Sequence, residues 1–261
     1  MPLNSPLDSL PIWLLIGCIA AGIFICIEAG YRFGKFRCAH GEPESIGSLG
    51  AIIASTLGLL AFMLTFTFGF AASRFEERRQ MVVEEANAIG TAFLRSGLLP
   101  EQQKVKVRKM LRDYVDSRLE LVRTGNADLA LRQADEFHRL LWEEAETAGQ
   151  LAPESVSVGL FIDSINETID VHSRRVLIGL RSRMPLVLWV ALFLLTAFSM
   201  AGVGYQEALA KSRRSPATLV LVLSFLIVTT LIVDLDRPRE GLITVSQEAI
   251  VSLRASFDQP E

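Results

Sequence analysis

Apolar residues in this chain are gathered into four long blocks. Between the second and third they instead recur every three or four positions among charged ones. The blocks cover residues 10–30, 48–73, 184–204 and 216–235, each near the roughly 20 residues that carry a helix across hydrocarbon. The pattern predicts four membrane spans. The first block lacks the positive start and small-residue cleavage pattern of a secretory signal. Trp13 and Tyr31 stand near its ends where interfacial anchors belong, so it reads as a retained span.

The second block, "GSLGAIIASTLGLLAFMLTFTFGFAA", passes without a breaker into "SRFEERRQMVVEEANAIGTAFLRSG". This predicts one helix over residues 47–94, ended by Gly97 and Pro100. Three further amphipathic helices follow. The first carries Val107, Leu111 and Tyr114 at helical spacing, the second Ala134, Phe137, Leu141 and Ala145, and the third Val158, Phe161, Ile165 and His172. The expected fold class is an all-α integral membrane protein, with four transmembrane helices and a four-helix amphipathic bundle between spans two and three. The boundaries are 1–73 for spans one and two, 74–183 for the bundle, 184–236 for spans three and four, and 237–261 for a short C-terminal segment.

Composition changes this picture little. Half the residues are apolar and the formal net charge is −3, which calls for no nucleic-acid partner. Cys18, Cys26 and Cys38 make neither a disulfide framework nor a zinc spacing. His40, His138 and His172 stand singly, and there is no Gly-rich phosphate loop or nucleophile elbow. No enzyme chemistry, metal or cofactor is implied. An even number of spans puts both termini and the bundle on one side. That side carries ten positive residues near span ends (Arg74, Arg78, Arg79, Arg174, Arg175, Arg181, Arg183, Arg237, Arg239 and Arg254). The opposite loops carry six: Arg32, Lys35, Arg37, Lys211, Arg213 and Arg214. The balance favours a cytoplasmic bundle.

Three groups of residues are candidates for function. Phe62, Phe66 and Phe70 fall at i, i+4 and i+8 on span two, with Thr65 interleaved. They read either as a packing stripe or, in several copies around an axis, as rings that gate a pore by dewetting. Gly50, Ala54 and Gly58 earlier in the span permit close helix approach. At the exit of span four, "VDLDRP" places Asp234 and Asp236 before Arg237 and Pro238, level with Arg74 and Arg78. The expectation is a latch in which an arginine pairs with Asp234, with an ion site as the alternative. In the last bundle helix Asn166, Asp170 and Arg174 align at four-residue spacing, and a buried network with Glu84, Glu85 or Asn87 is expected.

Four stretches together resemble a known bacterial family: "EAGYRFGK", "FTFGFAASRFEERRQMVVEEANAIGTAFLR", "SINETIDVHSRRV" and "VDLDRPREGLITVS". They are similar to the bestrophin-like domain family. The resemblance implies kinship with bestrophins, pentameric anion channels whose second span lines the pore. On that basis Phe62, Phe66 and Phe70 would form the hydrophobic neck, small inorganic ions would permeate, and the lipid bilayer and further copies of the chain would be its partners. The location implied is a bacterial inner membrane, with both termini cytoplasmic. Two other readings remain: a sensor subunit whose bundle binds a ligand in the periplasm, and a non-conducting structural membrane protein.

Overall fold

An apolar run in hydrocarbon must bond its own backbone groups, which only a helix allows an isolated segment to do. The computed structural model describes residues 11–41, 46–124, 127–181, 183–210, 216–237 and 241–258, and their regular structure is helical throughout. In chain order the helices are α1 (Ile12–His40), α2 (Ile46–Ser96), α3 (Glu101–Thr124), α4 (Ala127–Leu151) and α5 (Val156–Val176). A π-helical turn (Leu177–Arg181), α6 (Leu186–Leu209), α7 (Pro216–Asp236) and α8 (Glu248–Ser256) follow. Helices α1, α2, α6 and α7 are long and apolar enough to cross a membrane.

The chain divides into two compact units. One joins Met1–Phe75 to Arg183–Thr244, and the other joins Glu76–Ser182 to Val245–Glu261. In the first, Ile23, Leu60, Leu64, Leu192, Met200 and Ile232 are the main buried residues. Here α1 and α6 meet backbone to backbone. A Cβ on Gly30 would lie 1.9 Å from the Ala201 carbonyl oxygen, and one on Gly204 would lie 2.0 Å from that of Ile27. Of the small residues on α2, a Cβ at Gly50 would lie 3.3 Å from the Gln206 side chain, whereas one at Gly58 would meet nothing within 4 Å. The α1–α6 packing carries α1 past the end of its apolar block, through a stretch expected to be loop. Gly34 lies against Tyr205 and Ala208, and the Glu28–Arg32 pair at 2.9 Å supports the added turns.

The second unit is built on a water-soluble pattern. Ile89, Leu111, Tyr114, Leu141, Phe161 and Ile165 fill its core, while pairs such as Glu120–Arg123 and Glu136–Arg139 lie on its surface. Ser155 caps α5 by accepting the Val158 N–H. The C-terminal segment, bounded in the sequence as a separate short stretch, is divided between the units. From Val245 it belongs to the helical unit, where Ile250 is buried and the Phe257 ring stacks on Phe93 with centroids 4.0 Å apart.

Candidate functional site

Within its apolar half α2 has two unlike faces. Ile53, Leu60, Leu64, Thr67 and Ala71 are buried against the chain's own spans. Opposite them Ser55, Gly58, Phe62, Thr65, Phe66 and Gly69 are exposed, with Phe62 at 66% and Phe66 at 55%. The Thr65 hydroxyl returns to the Ala61 carbonyl at 2.9 Å, satisfying its donor within the helix. Phe70 departs from the line expected of it. It is half-buried against the core, and the Arg74 guanidinium lies over its ring at 4.7 Å. The reason is helical geometry. Four residues exceed one turn of 3.6, so each step rotates about 40° and Phe70 lies about 80° round the helix from Phe62, partly packed against the core.

The exit of α7 is held by carboxylates and backbone amides. Asp234, buried to 1% exposure, accepts the Leu242 N–H at 2.7 Å and the Ile243 N–H at 2.9 Å. An arginine was the expected partner; two consecutive amides of the returning chain occupy these oxygens instead. They satisfy a buried carboxylate by charge-assisted bonds without immobilising a long side chain. Gly241 makes this possible, because a Cβ there would sit 2.7 Å from Asp234 Oδ1. Asp236 Oδ1 accepts the Met184 N–H at 3.1 Å, and Arg183 donates to the Asp236 carbonyl at 3.2 Å. The latch thus joins α7 to the approach to α6. Arg237 is buried, and so is Arg78 in the helical unit; Pro238 lies outside the described residues.

In the helical unit a polar cluster crosses the core. Glu85 is fully buried. It accepts the Tyr114 hydroxyl at 3.1 Å, meets Arg118 at 3.3 Å and pairs with Arg175. His172 Nδ1 and His138 Nε2 each stand 3.2 Å from the Tyr114 oxygen. One proton assignment satisfies the centre: Tyr114 donates to Glu85 and accepts an N–H from each neutral imidazole. Arg175 also donates to Gln247 at 3.0 Å, tying α8's first turn to α2 and α5. Burial pushes the Tyr114 hydroxyl up to about 12. Burial, reinforced by the Arg118 charge, holds both imidazoles neutral, His138 down to about 3 and His172 to about 4. Arg175 falls through burial to about 10 and keeps its charge at neutral pH.

Of the network expected here, only Glu85 lies inside. Asn87, Asn166, Asp170 and Arg174 are exposed on the chain; Asn166 bonds to Asp170, and Arg174 bonds to Glu167 and pairs with Glu84 of α2 at 3.9 Å, so that expected inter-helix contact forms on the surface and not in the core. Tyr114, Arg118, His138, Arg175 and Gln247 were not anticipated. A signal existed in α3, where Arg118 follows Tyr114 by four residues on the inward stripe. Among the described residues no group of three or more His, Cys, Asp or Glu side chains is placed to hold a metal ion.

Four apolar helices, a buried carboxylate at a membrane exit and a helical unit interleaved with them define a multi-pass, all-helical membrane protein. The model of the Bestrophin-like domain matches residues 37–250, and the chain belongs to that family. Its fold is shared with the crystal structure of a bacterial bestrophin homologue from Klebsiella pneumoniae. That protein is 15% identical, with a TM-score of 0.62 over 95% of this chain and 99% of the other. A second crystal structure, described as a membrane protein, is 13% identical with a TM-score of 0.63, covering 96% of this chain and 99% of its own. No curated protein sequence matches this one.

Proposed function

We propose that the chain assembles as a homo-oligomer around α2 and conducts small inorganic ions, anions by kinship with bestrophins. The observation that carries this reading is the unpartnered face of α2. Small and hydroxyl-bearing residues (Ser55, Gly58, Thr65 and Gly69) stand there with Phe62 and Phe66, beside the exposed Ile52 and Leu59, whereas the buried face is Ile53, Leu60, Leu64, Thr67 and Ala71. A surface meant only for lipid has no need of that mixture. Copies arranged about an axis would present Phe62 and Phe66 as a narrow apolar neck bordered by Thr65 hydroxyls. Kinship suggests a pentamer, and the charge balance supports a bacterial inner-membrane location with the helical unit in the cytoplasm.

Single-channel recording in planar bilayers tests the reading. Wild-type protein should conduct with an anion-selective reversal potential. Phe62→Ala or Phe66→Ala should widen the neck and raise conductance severalfold, while Phe70→Ala should leave it near wild type. A monomeric protein, or silence in every variant, would defeat the proposal.

A further inference from the structure

The unit of spans holds a second feature, lined by α1, α6 and α7. A cavity of about 590 Å³ lies between α1, α6 and α7, within the range of about 300–1,000 Å³ usual for small-ligand sites. Its body is apolar. Cys18, Gly22 and Cys26 of α1 face Trp189 and Phe193 of α6 and Val233 of α7. The hydroxyl of Thr196, also in the wall, is bonded back to the Leu192 carbonyl at 2.8 Å. One end is different: there Arg183, Asp236 and Arg237 border it. These residues lie where α7 ends and α6 is about to begin, so the charged end is at a membrane face and the apolar body runs into the span.

We propose that this cavity binds an anionic phospholipid, with an acyl chain between α1, α6 and α7 and the phosphate at Arg183 and Arg237. Two features favour a lipid over a packing gap. A gap between spans closes by dispersion unless something fills it, yet Gly22 leaves this one open, since a Cβ there meets nothing within 4 Å. Guanidinium groups at a cavity mouth suit a phosphate's fork geometry and its charge, and Trp189 stands where an indole favours the headgroup level. The proposal rests on α1, α6 and α7 lying in the bilayer and is independent of conduction.

The cavity supplies its own reporters in Cys18 and Cys26. The full chain carrying Cys18→Ser and Cys38→Ser is purified in detergent, stripped of lipid, and labelled at Cys26 with a maleimide. Phosphatidylglycerol micelles should slow labelling roughly tenfold and phosphatidylcholine micelles should not. In separate preparations with all three cysteines kept, Gly22→Phe should put a ring into the cavity, since a Cβ at Gly22 meets no atom within 4 Å. It should abolish copurified phosphatidylglycerol measured by mass spectrometry, with oligomer size and thermal stability held. Arg183→Gln should reduce the copurified lipid about tenfold. Equal protection by phosphatidylcholine would overturn the proposal, as would undiminished lipid in Gly22→Phe. Labelling blocked in the delipidated oligomer would mean that a second copy of the chain covers the cavity, and would overturn it too. Because Gly22→Phe is read by bound lipid, its result stands whether or not the protein conducts.

Discussion

The α1–α6 contact and the core of the helical unit are both tightly packed, and they are held by opposite means. Between α1 and α6 two glycines let backbones touch, with no side chain between them at Gly30 and Gly204. In hydrocarbon, burying a leucine gains little over leaving it in lipid, so cohesion comes from close dispersion contact along the whole interface. The helical unit has a charged exterior and a core led by Tyr114, Phe161 and Leu141, where removal from water supplies the drive. That drive is large enough to carry Glu85, two arginines and two histidines through the middle. The α1–α6 contact should therefore be intolerant of added volume, and the helical unit of a removed charge.

The sharpest break in this contrast is Glu85→Ala. It strands Arg118 and Arg175 in the core, and breaking a buried ion pair from one side costs about 3–5 kcal/mol. Thermal or denaturant unfolding of the detergent-solubilised protein should show that loss. Next is Gly204→Leu. Its side chain would have to displace the α1 backbone, costing about 3 kcal/mol, the upper end of overpacking, and size-exclusion chromatography should show a dispersed or aggregated protein. If Gly204→Leu proved harmless, the membrane unit would not depend on backbone contact at all.

Acid sharpens the comparison from the other side. His138 and His172 are held near 3 and 4 in the folded protein, against about 6.5 unfolded. Between these values the unfolded chain binds more protons. Stability is thus fully present above pH 6.5 and is lost as pH falls toward the folded values. At pH 5 the loss is on the order of 2 kcal/mol for each histidine. Unfolding monitored from pH 7.5 to 5 should show it, and His138→Gln should flatten the slope. The smallest effect is expected at Gly241→Ala, where a methyl group forces Asp234 aside and weakens its two amide bonds, at about 1–2 kcal/mol. Faster hydrogen exchange at Leu242 and Ile243, with the rest of the protein unchanged, would report it.

The helices were legible because hydropathy alone separates a 20-residue apolar block from a 3.6-residue stripe. The run from α2's span into its charged half was equally plain, as nothing between Gly47 and Leu94 breaks a helix. Partners were harder to read. Asp234 is satisfied by backbone amides eight and nine residues on, and a backbone donor has no sequence signature. Tyr114 and His172 each looked like members of an apolar stripe, since the stripe marks which side faces inward and not what a polar tip finds there. Conversely, Asn166 and Asp170 are polar at helical spacing but stand on the solvent side of α5. The Phe62–Phe66–Phe70 line was read as nearly straight, and the residual rotation of the helix leaves its last member half-buried beside the core.

The sharing of the C-terminal segment between the units has a consequence for biosynthesis. Ile250 and Phe257, which complete the helical unit's core against Phe93, leave the ribosome only after α6 and α7 have been made. Until then the α2–α5 segment lacks its last apolar layer and the Gln247 bond to Arg175. The helical unit should therefore lock only once both later helices have emerged. A chain stalled before residue 245 would be marked by an open apolar patch that quality-control proteases can detect.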